Sequence, residues 1–412
     1  MSDADDAPRW QYDPVRTLAG DLQRGHGMGV VKAHTEAAGP DAVFACVQRD
    51  HRWWWQLDER PEYLARLMLE LRMDPTAVVA LLHTAGDVVS DDDNTFAMAL
   101  DVLETLGFAG DEQVVRALRH YVIHGARWLE VLEAIARRWP QATWDDLDGI
   151  ALARLTPSLE DEVLVRAQPW LGWAARHDRV ARLAQRRSVR PARPPLGPAP
   201  AADQLLAVLA DPAQPRADKR SALRDLARSG SDRRLLGLAE ELRGVPGLSA
   251  AVMALGPAAL GHAREWAAGD RLTWLGGSLL AAHGTEHDIP RLLGVWDRLW
   301  DSDDWCGFDR LADGFARFGA VAADAAPRLR TVIRQTPHTY ERAACLRALL
   351  AVDPLGAQGP LALGLLDCEQ DVRSLAVAHA PDSPFTRKAL TTRRDDPTEA
   401  PEIRQAAATR LG

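Results

Sequence analysis

Two histidine pairs come first among the residues whose type and spacing could do chemistry. His120 and His124 stand in HYVIH, and His283 and His287 in HGTEH, with Glu286 and Asp288 alongside. On one helix an i, i+4 separation lets two imidazoles reach the same metal ion. Neither pair has a third ligand in register, and Gly284 reads as a helix end that turns the second pair apart. Both are expected as surface or boundary histidines, with no metal and no cofactor. The run Asp91-Asp92-Asp93-Asn94 offers oxygens to a hard cation but lacks the glycine turn and later bidentate glutamate of a calcium loop. It is expected to cap a helix beginning at Thr95, where anionic side chains are favoured. Asp145, Asp146 and Asp148 read the same way. The stretch Arg24-Gly25-His26-Gly27-Met28-Gly29 could cradle a phosphate with its amides, but no strand precedes it. An inter-helix turn accounts for it.

The most unusual stretch is Arg52-Trp53-Trp54-Trp55, followed by Asp58-Glu59-Arg60. Consecutive helical residues point about 100° apart, so three tryptophans in a row cannot all face one core. Trp53, Trp54 and Trp55 are therefore expected either to staple two elements or to form a partner surface, with Arg52 and Arg60 placed to stack on the rings. Trp170/Trp173 and Trp296/Trp300 recur at helical spacing and read as core packing. Cys46, Cys306, Cys345 and Cys368 are far apart in apolar stretches and read as buried free thiols. The chain has no G-x-x-x-x-G-K-[ST], H-E-x-x-H or G-x-S-x-G signature. With Lys32, Lys219 and Lys388 its only lysines, lysine-dependent chemistry has few candidates.

The elements that must position these groups are helices. The 412-residue chain is 47% hydrophobic, enough for a large core, and its segments repeat apolar residues at i, i+3, i+4 and i+7, as in RLLGVWDRLW. Strand signals are almost absent, so the fold class is all-α. MSDADDAPRW is acidic and polar, unlike a secretion signal. No run approaches the roughly 18 apolar residues that span a membrane. A soluble, cytoplasmic chain without membrane contact is expected. The net charge of -9 is uneven: residues 1–186 carry -10, and residues 203–412 carry -2. Between them RRSVRPARPPLGPAPAAD holds five prolines and four arginines, which makes residues 187–202 a semi-rigid linker.

Residues 1–186 read as an acidic helical domain of irregular pairs or a cap, with helices near 13–24, 40–49, 60–73, 75–84, 94–107, 112–123, 126–138, 158–168 and 171–186. The second half has a period. Helices are expected to end at Gly230, Gly256, Gly284, Gly319, Asp353 and Ala380, at intervals of 26 to 35 residues. Helix pairs at this spacing indicate an α-solenoid, in which each pair buries its apolar face only by stacking. Segments such as Asp371-Val372-Arg373 followed by Ala376 resemble the inner helix of HEAT repeats, and the resemblance covers about 203–412, some seven pairs.

The HEAT resemblance implies a curved superhelix that binds partners on a concave face. A non-enzymatic scaffold for a protein or peptide is the function expected first. HEAT-like proteins also include alkylated-base DNA glycosylases, which bind through a basic groove. Nucleic acid is an unlikely partner for an acidic chain, unless Arg216, Arg220, Arg224, Arg233 and Arg234 line one groove. A pigment-handling lyase or chaperone role is also found among such proteins, but nothing in the residues identifies a pigment site.

Overall fold

A computed structural model describes residues 12–52, 58–86, 94–188, 201–302 and 306–412. Every regular element among them is helical, and no helix is long and apolar enough to cross a membrane. Two compact units form: Met1–Ala192 together with Ala362–Gly412, and Arg193–Leu361. Most of the proline–arginine linker, residues 189–200, lies outside the described residues.

In the second unit the helices follow the local chemistry. Helix Arg216–Ser229 buries Ala222, Leu223 and Leu226 on one stripe and stops at Gly230, whose φ of 94° favours glycine. Helix Phe308–Phe318 buries Phe308, Leu311, Ala312 and Phe315, and Trp296 meets two of these rings, 4.6 Å from Phe308 and 5.7 Å from Phe315 between centroids. Gly230, Gly284, Gly319 and Asp353 all sit at helix C-caps, where the periodicity places them. Each helix packs mainly against elements adjacent or next-but-one in the chain, such as Phe308–Phe318 against Thr339–Val352 and Leu260–Ala268 against Thr273–His283.

The first unit closes differently. Helices Gln370–His379, Pro384–Asp395 and Pro401–Leu411 join the helices before residue 188 in one body. The glycine-rich stretch explains how the chain comes so close. Gly25 has φ +68°, a Cβ there would collide with the Cys368 sulfur, and a Cβ on Gly27 would strike the Leu363 carbonyl. The Cys368 N–H donates to the Gly25 carbonyl at 2.9 Å. The run is thus a docking site for the chain's own backbone. Elsewhere in this unit Trp170 and Trp173 are fully buried and meet edge-on, with 5.4 Å between centroids.

One device recurs in both units. The last carbonyls of an α-helix have no partner within it. Arg154 donates to the Val122 and Gly125 carbonyls, both at 2.7 Å, at the end of helix Glu112–His124. Arg179 does the same to Leu152 and Leu155, Arg317 to Ala281 and Gly284, and Arg410 to Val377 and Ala380. In each case the acceptors are the C-cap residue and the residue three before it. A planar guanidinium spans two such carbonyls and opposes the negative end of the helix dipole; an ammonium cannot span them in the same way. This gives a structural use to the excess of 46 arginines over three lysines in the chain.

Candidate functional site

The sequence-derived site residues separate into described and undescribed. Trp53, Trp54 and Trp55 lie outside the described residues, as do Asp91, Asp92 and Asp93. Arg52 is buried, with its guanidinium on Asp50 at 2.7 Å and Asp101 at 2.9 Å. Arg60 is equally buried, paired with Asp58 at 2.5 Å and donating to the Gln23 carbonyl.

The histidine pairs also part. The rings of His120 and His124 stand 4.5 Å apart between centroids. His283 closes helix Thr273–His283, while His287 lies beyond the Gly284 break in the short turn Glu286–Asp288. Among the described residues no group of three or more His, Cys, Asp or Glu side chains is placed to hold a metal ion. Of the aspartates after Trp144, Asp148 takes the Gly149 N–H in the first turn of its own helix at 2.7 Å, and all three also bind side chains from other elements. Asp145 takes Arg176 at 2.7 Å and the Trp173 indole at 3.0 Å, Asp146 takes Arg119, and Asp148 takes His177. The short turns around residues 141–147 aim these carboxylates at neighbouring elements. A hydrogen bond from Arg176 holds Asp145 down at about 2.

Two arrangements in the second unit can act on a ligand. The first is an open recess of about 360 Å³, within the size range of ligand pockets. The loop through Gly244 and Gly247 forms one wall, and Arg243, Arg271 and Trp274 line it. Gly244 and Gly247 both have positive φ, +78° and +100°, which sets the sharp turn. Val245, Leu248 and Leu275 supply an apolar floor. The Trp274 indole backs on Gly307, where any Cβ would collide with it, and Arg310 lies 5.9 Å from its ring centroid.

The second arrangement begins on the far side of that contact. Cys306 Sγ and His338 Nε2 are 3.5 Å apart. Cys46, Cys345 and Cys368 are buried, as expected, but Cys306 is only partly so. Glu341, completely buried, accepts the Gly307 N–H at 2.7 Å and the Phe308 N–H at 3.2 Å, and the Thr336 hydroxyl donates to it at 3.3 Å. Burial pushes the Glu341 carboxyl up to about 8, against those hydrogen bonds, and Asp309 adds to the rise. Burial likewise raises the Tyr340 phenol, beside Glu341 and Cys306. A thiol, an imidazole and a protonated carboxyl thus share one corner, where the carboxyl fixes the turn that carries the thiol.

Periodicity could not find either arrangement, because each joins side chains from different helices. One signal was available. Cys306 and His338 are 32 residues apart, and Gly307 and Glu341 34 apart, about one repeat interval. Comparison of the chain with protein-family models, curated proteins and solved structures finds no match.

Proposed function

We propose that the chain is a non-enzymatic α-solenoid scaffold of HEAT-like helix pairs, and that it binds a protein or peptide segment in the recess lined by Arg243, Arg271 and Trp274. The recurring arginine cap carries the repeat part of this reading. Arg317 reaches back 33 residues to the Gly284 C-cap, Arg410 back 30 to Ala380, Arg154 back 29 to Gly125 and Arg179 back 24 to Leu155, so the grip recurs at an offset close to one repeat interval. Other ties fall at the same distance: Arg328 on Asp297, Arg347 on Asp313 and Arg271 on Glu240 are separated by 31 to 34 residues. Stacked repeats that touch mainly their neighbours leave an extended surface for binding. The recess supplies the anchor point, a half-buried indole with arginines at its edge, the residue types that dominate binding energy at interfaces.

A photo-crosslinking residue at Ser249, inside the recess, tests this in the native host. It is expected to capture a protein that the same residue at the exposed Leu355 does not. Trp274→Ala should abolish that adduct while circular dichroism shows the helical content retained. An equal yield at both positions, or none at Ser249, removes the proposal.

A further inference from the structure

The scaffold reading leaves open what kind of segment enters the recess, and the charges around it are selective. The lining holds two charged side chains, Arg243 and Arg271, and no carboxylate. Arg271 spends part of its charge on Glu240 at 3.2 Å, whereas Arg243 makes no ion pair with any described residue. The neighbouring helix adds more. Arg216, Arg220 and Arg224 stand at i, i+4 and i+8 on helix Arg216–Ser229 and are exposed, which places them in one row. That row starts at the recess: Arg216 donates to the Gly244 carbonyl at 2.6 Å, and Gly247 packs on the helix at Leu223, close to the backbone of Arg220 and Arg224. Arg220 and Arg224 also have no ion-pair partner among the described residues.

Several exposed arginines elsewhere are matched with acids, while others, such as Arg72, Arg166 and Arg233, have no ion-pair partner among the described residues. Arg234 takes Asp203 and Asp232, Arg387 takes Asp382, and Arg347 takes Asp313. Arg243 lines the apolar floor and the indole, Arg220 and Arg224 stand on the adjoining helix, and none of the three has an ion-pair partner among the described residues. Guanidinium forks bind carboxylates in a bidentate manner. From this juxtaposition, and resting on the scaffold reading, we infer that the recess takes an acidic peptide segment with one bulky apolar side chain. The apolar side chain packs on Trp274, Leu248 and Leu275, and the flanking Asp or Glu residues meet Arg243, Arg220 and Arg224. A polyanion with no apolar anchor, such as nucleic acid, fits less well. The floor would go unused.

The test uses the full chain and a short fluorescein-labelled peptide with a central leucine between runs of glutamate, followed by fluorescence polarisation across a salt series. The glutamate peptide should bind, and added salt should weaken it. The same peptide with lysine for glutamate, or alanine for leucine, should bind at least about tenfold more weakly. The double variant Arg220→Glu/Arg243→Glu should lose about tenfold or more, with unchanged circular dichroism, and Arg166→Glu, at an exposed position in the first unit, should lose little. Equal binding of the lysine peptide, or tighter binding of a labelled single-stranded DNA, overturns the inference. The Ser249 cross-link separates the two failures. A captured partner with no glutamate preference defeats the acidic-segment inference alone. Glutamate-selective binding with no captured partner defeats the scaffold reading instead.

Discussion

Two buried carboxylates, one in each unit, meet opposite fates. Glu399 in the first unit lies among arginines: Arg373 at 2.9 Å, Arg393 at 3.2 Å and Arg66 at 3.6 Å. Burial would raise its pKa, but Arg373, Arg66 and Arg393 outweigh burial and hold it down at about 2. Glu341 in the second unit is as deeply buried, but its described partners are two backbone N–H groups and a hydroxyl. Burial wins there, and the carboxyl rises to about 8. Burial therefore does not set the charge of an acid; the donors that replace water do. One unit is tied by an ionic knot that joins residues about 300 apart in sequence, such as Arg373 with Glu59. The other holds a turn with a neutral carboxyl.

The same substitution in the two places should separate them most. Glu399→Gln leaves three buried guanidiniums without their shared anion, and should cost about 3–5 kcal/mol in urea unfolding. A loss under about 1 kcal/mol would mean that Asp396 and Glu70 already neutralise the knot. Changing the other side of the comparison should cost less. Arg317→Lys keeps the charge in the second unit but cannot span the Ala281 and Gly284 carbonyls, and should cost about 1–2 kcal/mol. Glu341→Gln replaces a carboxyl that is already neutral by a near-isostere, and should cost under about 1 kcal/mol at pH 6.

The pH dependence carries opposite signs. The folded-state pKa of Glu399 is depressed from 4.5, so its contribution is full above pH 4.5 and is lost as pH falls toward 2. The stability gap between wild type and Glu399→Gln should shrink over that window. The Glu341 value is raised, so its contribution is full below pH 4.5 and is lost as pH rises through 8. Wild type should lose ground to Glu341→Gln between those limits. Parallel curves in either experiment would show that the neighbours do not set the charge. The smallest effect is local. Iodoacetamide on the native protein should label Cys306 and spare Cys46, Cys345 and Cys368, as read by mass spectrometry of peptides.

Local physics was legible in the sequence and long-range physics was not. The period of apolar residues and the glycine stops fixed the helical class and the ends at Gly230, Gly284 and Gly319, because caps are short-range features. Trp170, Trp173 and Trp296 fell into cores for the same reason, whereas Trp300 is only partly buried, against Phe308. The expected helix near 158–168 is absent apart from the turn Leu159–Asp161, and helix Gly27–Thr35 occupies what read as a turn. Glycine at Gly27 and Gly29 suppressed the helix signal there, although the close approach of Leu363 and Tyr63 requires both glycines. The knot around Glu399, the recess and the Cys306–His338 pair each need elements brought from elsewhere in the chain, which no window of periodicity spans.

The contact between Gly25 and Cys368 also sets an order of events during synthesis. Residues 193–361 form a unit whose every segment is in hand once residue 361 has left the ribosome. The helices before residue 188 must wait for residues 362–412 before Arg66 finds Asp396 and Glu399, and before Gly25 is covered. The unit interrupted in sequence thus finishes last, with its docking surface open to solvent while the intervening unit folds. Slow translation or a chain stalled near residue 361 should leave that surface as the part of the molecule most in need of a chaperone.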